Sequence, residues 1–288
     1  MLTVVILFSV FRTPVIAFLE AFAMDILGGW KTSYGRIRAW GTASFIATVL
    51  VLGWLTSRYS VNIIVPLVLA GILMQSFAAL AMPDVPRREK ESTAPIRNPA
   101  RKNMVVFLVC GFLMLVSHGT YYGFFSIHLE KLGYGTRFIG FSWALAAMAE
   151  ITVMIGSRRL FARFPLEKVL VFSFVAAAVR WIIMFFAVSP AAVLSAQILH
   201  AFTYGSFQMA SILYIDRESP AGAKTIGQAL NNSVTFGVGM MIGVFVNGYF
   251  FDRFGSRPLF AGSAVVAAVG GALLWMVLRK SVGMVPRR

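Results

Sequence analysis

Long apolar blocks alternate with short polar segments along the whole chain. The blocks fall at residues 1–27, 38–56, 61–82, 104–127, 138–157, 168–188, 190–215, 225–250 and 258–278. About 20 predominantly apolar residues are enough for a helix to cross the hydrocarbon core of a bilayer. The pattern therefore predicts an all-α polytopic membrane bundle with about nine transmembrane helices.

One longer polar segment, rich in proline and charge, interrupts this pattern at residues 83–103. It predicts a cytoplasmic linker between a partial N-terminal bundle of three helices, residues 1–82, and a C-terminal six-helix bundle, residues 104–288. Multi-span transporters are commonly built from repeated bundles of matching helix number. The mismatch predicts that the chain begins partway through such an architecture.

Composition supports the membrane assignment. The chain is 58% hydrophobic and 13% charged, whereas soluble domains have about 45–50% apolar and about 25% charged residues. The net charge of +15 could indicate a nucleic-acid partner, but 19 of the 26 Lys and Arg residues lie in alternate connections and after the last block. This is the positive-inside pattern. It predicts a cytoplasmic C-terminus, an N-terminus of this chain outside, and no nucleic-acid partner.

A permanent positive charge lies at the centre of one apolar block. Arg180 falls within residues 168–188, where an arginine costs about 2.5–3.5 kcal/mol on insertion scales. We expect an anionic partner or a hydrated cleft around it, and Glu150 on the preceding block is the nearest candidate. Two interpretations stay open: a structural ion pair, or a pair lining a solute path in which protonation of Glu150 releases Arg180.

A polar stripe follows the block 190–215. Its members, spaced three or four residues apart, are Gln197, His200, Tyr204, Gln208 and Ser211. This spacing puts them on one helix face, and such a face in a membrane must meet water or other polar groups. Hydrogen bonds between helices could explain two or three of the five. His200 is a candidate proton carrier or solute ligand, and Gln197 and Tyr204 would line the same path.

Aromatic and polar residues on other blocks extend the candidate site. His118, Tyr121 and Tyr122 share a helix face that suits stacking on a planar solute, and Trp143 could supply another ring. An interfacial aromatic belt or simple packing is the alternative. Asn231 lies in the first third of the block 225–250 and is a candidate solute ligand. In the same block Gly239 and Gly243 form a GxxxG motif, which predicts close helix packing.

No catalytic or metal-binding motif accompanies these residues. The sequence has no HExxH, GxSxG or Walker loop. Cys110 is the single cysteine, and we take the three histidines to lie on different segments. The sequence therefore predicts no enzyme, no metal site and no cofactor.

Three motifs resemble the major facilitator superfamily. They are YGRIRAWGTASF at residues 34–45, SHGTYYGFFSIHLEKLGY at 117–134 and NGYFFDRFGSRP at 247–258. Within that superfamily the chain is similar to the proton-coupled group that includes the lactose permease, the phenylpropionate permease and nucleoside symporters. The resemblance implies the major facilitator fold, with the nine blocks matching its helices 4–12.

The resemblance also implies roles for individual residues. Arg38 and Glu20 match a solute-binding pair, and Phe45 matches a ring that stacks on the solute. Arg180 and His200, 20 residues apart, match a buried pair in the proton relay. Thr203 stands where that group has its central carboxylate, so the chain departs from the sugar-transport pattern at the coupling residue. Another carboxylate of that group lies about one turn before Glu150, and proton coupling through Glu150 is therefore our inference.

The sequence thus predicts a secondary active transporter that carries a small organic solute (an aromatic acid, a nucleoside or a sugar) with protons by alternating access. We expect a monomer, multi-pass in a bacterial inner (plasma) membrane. The alternatives are a truncated, non-transporting fragment of such a permease or, less favoured, a channel or a membrane-embedded enzyme.

Overall fold

The computed structural model describes residues 15, 16, 18–59, 61–83 and 100–282. Every regular element in these ranges is helical, and no strand occurs among them. Most of the linker predicted at 83–103 and about half of the first block, 1–27, lie outside the described residues.

The α-helices are numbered in chain order within the described ranges. They are α1 at residues 18–27, α2 Tyr34–Arg58, α3 Ile64–Leu80, α4 Ala100–Lys131, α5 Thr136–Arg163, α6 Leu166–Phe186, α7 Pro190–Ile198, α8 Phe207–Glu218, α9 Lys224–Leu230, α10 Met240–Phe254 and α11 Ser256–Val282.

Two segments combine α-helices with a π-helix. The first, called span seven, consists of α7, the π-helix Ala201–Ser206 and α8. The second, called span eight, consists of α9, the π-helix Asn231–Gly239 and α10. A π-helix carries extra residues per turn and occurs frequently at functional sites. Both candidate polar stretches, around His200 and Asn231, lie at or inside these π-helices.

Short turns connect the helices of the C-terminal bundle. Gly133, between α4 and α5, has φ 86°, and Gly255, between α10 and α11, has φ 73°. These left-handed conformations favour glycine because it has no Cβ. Span seven begins where the Ser189 hydroxyl accepts a hydrogen bond from the Ala192 amide, with Pro190 in the first turn. Such turns reverse the direction of the chain between consecutive helices.

The core of the C-terminal bundle is centred on α4, which packs against α10, α11 and the π-helix of span eight, while α6 packs on α11. Large buried side chains join these helices. Among them are Phe107, Phe174, Trp181, Phe207 and Phe260.

Glycines allow α4 and span eight to touch backbone to backbone. A Cβ atom at Gly119 would lie 2.2 Å from the Gly243 carbonyl carbon, and a Cβ at Gly239 would lie 2.9 Å from the Phe112 oxygen. Both contacts are too close for any side chain. The predicted packing role of the GxxxG motif is confirmed.

The N-terminal helices pack on the C-terminal bundle through α1, α2 and the 3-10 turn Gly28–Ser33. Met24 and Tyr34 share a second core with Met154 and Met209. In contrast, no residue of α3 is buried. The contact between the two parts of the chain is therefore made by α1, α2 and the turn between them.

The structure confirms the all-α membrane fold. Five described helical stretches are long and apolar enough to cross a membrane: Lys102–Lys131, Arg137–Arg163, Leu166–Phe186, Lys224–Phe254 and Ser256–Arg279. The total of nine crossings stays a prediction. Two details need correction. Helix α4 begins at Ala100 rather than at residue 104, and His118 and His128 share α4 instead of lying on different segments.

The Gly119 contact makes a stability prediction. We expect Gly119→Ala to lower the free energy of unfolding by about 1–3 kcal/mol, because the methyl group meets backbone that cannot move aside. Thermal unfolding in detergent measures the effect. The matched control is Gly262→Ala in α11, where nothing lies within 4 Å of the new Cβ. Equal unfolding temperatures for the two variants would contradict the prediction.

Candidate functional site

Arg180 is completely buried inside the C-terminal bundle. Its helix, α6, points the side chain toward span seven, where the guanidinium meets four hydrogen-bond acceptors. Nε donates to the Ala196 carbonyl oxygen (2.8 Å), and Nη1 donates to His200 Nδ1 (2.9 Å) and Thr203 Oγ1 (3.2 Å). Nη2 donates to Gln197 Oε1 at 3.3 Å. Four of the five N–H groups of an arginine are therefore engaged.

Aromatic rings complete the surroundings of the guanidinium. Its carbon lies 4.2 Å from the Tyr121 ring centroid and 4.6 Å from that of Trp181. Both distances suit cation–π attraction, which is strongest where the cation is desolvated. The Tyr121 hydroxyl also donates to Gln197 Oε1 at 2.9 Å, which fixes the amide that receives Arg180.

The expected direct ion pair between Arg180 and Glu150 is not formed in this structure. Within the described part of the chain, the charge of Arg180 is accommodated by neutral acceptors and π faces. The physical reason is that span seven supplies four acceptors to the guanidinium, so four of its five N–H groups already have partners. Glu150 instead approaches the far side of His200.

His200 connects the two charged groups. Because Nδ1 accepts from Arg180, the imidazole proton is assigned to Nε2, which lies 3.8 Å from Glu150 Oε2. This distance exceeds a hydrogen bond, and a movement of about 0.8 Å would close it. Gly205 leaves space for the Glu150 side chain, because a Cβ atom at position 205 would lie 3.0 Å from the Glu150 Cγ. The three side chains therefore lie in a row in the order Arg180, His200, Glu150.

An aromatic wall lies beside this row. The rings of His200 and Tyr204 stack at 5.2 Å, and the Tyr122 ring lies 5.8 Å from Tyr204 and 6.0 Å from Trp143. The Trp143 indole donates to Ser126 Oγ at 3.1 Å. Tyr122 is 37% exposed, so part of the wall is open to a ligand. We define the aromatic wall as His118, Tyr121, Tyr122, Trp143, His200 and Tyr204.

His118 contributes a neutral edge to the aromatic wall. Its Nδ1 lies 2.8 Å from the Met114 carbonyl oxygen, which assigns the proton to Nδ1. Its Nε2 is buried and has no hydrogen-bond partner among the described residues. An acceptor atom is therefore available beside the rings.

The N-terminal helices bring a second carboxylate and a second arginine near the site. Glu20 on α1 accepts a hydrogen bond from Asn232 Nδ2 at 2.5 Å, across the boundary between the two parts of the chain. Arg38 is half-buried and makes a long bond to Thr42 Oγ1, 3.4 Å. Arg38 therefore has bonding capacity left for a ligand.

Two of the expected solute-binding residues do not join this group. Phe45 is 63% exposed, and no ring contact connects it to the aromatic wall within the described part of the chain. Asn231 is completely buried, and Glu20 is contacted by its neighbour Asn232 instead.

Sequence reasoning missed three contributors to the site. Thr203 and the Ala196 carbonyl receive Arg180, and Asn232 holds Glu20. The sequence held partial signals for two of the three. Thr203 stands where the resembled group has its central carboxylate, and Asn232 is one of two adjacent asparagines. A backbone carbonyl leaves no trace in the sequence.

A cluster of ionic residues lies at the end of the bundle that carries the basic loops. Asp216 on α8 forms ion pairs with Lys31 of the 3-10 turn and with Lys224, the latter at 3.0 Å. Burial lowers the pKa of Lys31, although its bond to Asp216 acts in the opposite direction. A cavity of about 630 Å³ lies beside this cluster and is bordered by Glu167 and Arg217, which also pair with each other.

Comparisons with known proteins match the chain to a family model and to several relatives. The family model described as "MFS_1 like family" matches residues 1–262. The "Probable 3-phenylpropionic acid transporter" of Escherichia coli (strain K12) is 27% identical over 88% of this chain and 68% of its own length.

Two further relatives cover similar shares. The "Uncharacterized transporter YwbF" of Bacillus subtilis (strain 168) is 23% identical over 85% of this chain and 62% of its own length. The "Maltose permease" of Geobacillus stearothermophilus is 22% identical over 96% of this chain and 71% of its own length. The chain thus spans roughly two thirds of these relatives.

We call the four hydrogen-bond acceptors and two ring faces around Arg180 its cage. This cage predicts that lysine cannot replace Arg180. We expect Arg180→Lys to lower the free energy of unfolding by about 3 kcal/mol, because bonds to charged groups contribute about 1.5–3 kcal/mol each and lysine lacks the planar fork. Arg137→Lys on the exposed start of α5 is the matched control. Chemical denaturation of both variants gives the comparison, and an unchanged stability of Arg180→Lys would exclude the cage as a stabilising element.

Proposed function

The chain belongs to the MFS_1 like family, and from this premise we propose that it carries a small organic solute across a membrane together with protons. The expected cycle is alternating access, in which two bundles rock about a site near the bilayer midplane. The relatives named as transporters or a permease support the broad class. Proton coupling and the solute are our inference from the site.

The observation that carries the proposal is the row of Arg180, His200 and Glu150 beside the aromatic wall. An ionised Glu150 attracts the Nε2–H group of His200 and, beyond it, the charge of Arg180. Protonation of Glu150 removes this attraction, so span seven is held less tightly to α5. A proton therefore changes the relative free energies of the conformations, which is what coupling requires.

The available groups favour a planar solute with an acidic or polar end, an aromatic acid or a nucleoside over a disaccharide. Aromatic rings bind planar solutes by offset or edge stacking, and Tyr122 is accessible to one. Four N–H groups of Arg180 are engaged. Arg38 is therefore the arginine better placed to form charge-assisted bonds to a solute carboxylate, with Glu20 beside it.

The orientation follows from the basic loops. Lys31, Lys224 and Arg217 lie at one end of the bundle, and the positive-inside rule assigns such an end to the cytoplasm. We infer that this end faces the cytoplasm of a bacterium and that the protein acts as a monomer in the inner membrane. The ionic cluster around Asp216 would then hold the cytoplasmic side closed.

A panel of solutes tests the proposed function directly. In proteoliposomes we expect 3-phenylpropionate or a nucleoside to accumulate when the outside is acidic, and maltose to accumulate less or not at all. The measurement is uptake of labelled solute with and without a pH gradient. Downhill flux that ignores the gradient would indicate a channel, and no uptake of any solute would refute the transport proposal.

Glu150→Gln tests the coupling residue. We expect the variant to lose uphill uptake driven by a pH gradient while it keeps solute exchange, because a permanently neutral side chain imitates the protonated state. The matched control is Glu130→Gln at the exposed end of α4, which should transport normally. Uphill uptake that survives in Glu150→Gln would rule out this residue as the proton site.

A further inference from the structure

Three exposed arginines lie close together at the end of α5. Arg158, Arg159 and Arg163 fall within the last two turns of this helix. Arg159 and Arg163 are four residues apart, so their side chains are neighbours on one helix face, and Arg158 extends the charge around the helix. Within the described part of the chain, no carboxylate lies at ion-pair distance from any of the three.

The cations of the nearby ionic cluster, in contrast, have anionic partners. Lys224 pairs with Asp216 at 3.0 Å, and Arg217 pairs with Glu218 at 3.2 Å and with Glu167. Helix α5 also lines the cavity beside this cluster, so both groups of cations lie at the same end of the bundle. The described residues compensate one group and leave the charge of the α5 arginines uncompensated.

Two exposed rings accompany these arginines. The guanidinium carbon of Arg158 lies 4.6 Å from the Trp30 ring centroid, and that of Arg163 lies 5.8 Å from the Phe164 ring centroid. Trp30 is 60% exposed and Phe164 is 45% exposed. We call these five residues the basic rim: Trp30, Arg158, Arg159, Arg163 and Phe164.

The turn that carries Trp30 is attached to α5 by its backbone. The Ser157 hydroxyl donates to the Thr32 carbonyl oxygen at 3.2 Å. Trp30 is therefore held beside Arg158 by this hydrogen bond as well as by cation–π attraction. The basic rim thus joins the N-terminal helices to the C-terminal bundle.

The residue types of the basic rim fit the interface between lipid headgroups and acyl chains. Tryptophan is enriched at this depth, because its ring is amphipathic, and clusters of Lys and Arg attract anionic lipids. A guanidinium can donate two parallel hydrogen bonds to the oxygens of one phosphate group. A lipid with a net negative charge would satisfy the arginines while its glycerol and first acyl carbons cover the rings.

We propose that the basic rim binds the headgroup of an acidic phospholipid. The phosphate lies among the three guanidinium groups, and the upper part of the acyl chains contacts Trp30 and Phe164. The bound lipid stabilises the attachment of the turn Gly28–Ser33 to α5. The inference goes beyond the proposed function, because it depends neither on the solute nor on proton coupling.

Native mass spectrometry of the full chain in detergent, titrated with phosphatidylglycerol, measures this binding. The rim variant combines Arg158→Gln, Arg159→Gln and Arg163→Gln. We expect it to bind the lipid about tenfold more weakly, equivalent to about 1.4 kcal/mol, because its attraction for the phosphate is lost. Replacing the same three arginines by lysine keeps the charges and should retain most of the affinity.

A control of equal charge comes from the opposite end of α5 and its neighbours. Lys131, Arg137 and Arg253 are exposed, and two of them also lie beside rings, Lys131 over Phe251 and Arg253 beside Phe254. The control variant combines Lys131→Gln, Arg137→Gln and Arg253→Gln and should bind phosphatidylglycerol as the wild type does. Equal weakening in both triple variants would overturn the proposal, because it would reflect net charge alone.

Fluorescence quenching tests the position of the lipid. The emission of Trp30 is obtained as the difference between the wild type and Trp30→Phe. We expect phosphatidylglycerol with brominated acyl chains to quench it more strongly than brominated phosphatidylcholine, and the rim variant to lose this preference. Equal quenching by the two lipids in the wild type would overturn the proposal, as would glycerol 3-phosphate that binds as tightly as the lipid.

Thermal unfolding in nanodiscs separates lipid binding from a purely structural role. Cations at the C-terminal end of a helix also interact favourably with its dipole, which predicts that the rim variant loses equal stability in phosphatidylglycerol and phosphatidylcholine. The proposal predicts instead that phosphatidylglycerol raises the unfolding temperature of the wild type and not that of the rim variant. Equal losses in both lipids would overturn it.

These measurements are independent of transport. Absence of pH-driven uptake by the wild-type protein would refute proton symport and leave the lipid site in place. Normal symport combined with unchanged phosphatidylglycerol binding in the rim variant would refute the lipid site and leave the transport proposal intact.

Discussion

A guanidinium group buried in a membrane bundle constrains everything around it. Arg180 cannot lose its charge under ordinary conditions, so the neighbouring helices must supply acceptors at fixed positions. They do so with neutral groups: a backbone carbonyl, an amide, a hydroxyl and an imidazole, together with two ring faces. Helices α4, α6 and span seven are therefore held in one mutual arrangement.

In this arrangement the carboxylate of Glu150 interacts with Arg180 only through His200. It does not neutralise Arg180 by contact, because His200 lies between them. Under the proposed function, Glu150 can therefore change its charge without leaving a buried arginine unpaired, which would cost several kcal/mol. The ionic cluster around Asp216 and the bond between Asn232 and Glu20 join the N-terminal helices to the same bundle.

The sequence predicted the helices well and their rotations poorly. Apolar blocks fix where a chain crosses the hydrocarbon, and the GxxxG motif indicated the contact of Gly239 and Gly243 with α4. The meeting of Arg180 with His200 followed from resemblance. The position of His200 between Arg180 and Glu150 was not predicted, because it depends on how α5, α6 and span seven are rotated about their axes. For the same reason the sequence did not reveal that Asn231 is buried and that Asn232 contacts Glu20.

The backbone contact between Gly119 and Gly243 has a mechanical consequence. Two helices that touch without intervening side chains have no side-chain layer to absorb relative displacement, so we expect α4 and span eight to move as one rigid unit. Helix α4 carries His118 and Tyr122, and span eight carries Asn232. If a solute binds at the aromatic wall, as proposed, we expect a displacement of α4 to reach Asn232, which holds Glu20 of the N-terminal helices.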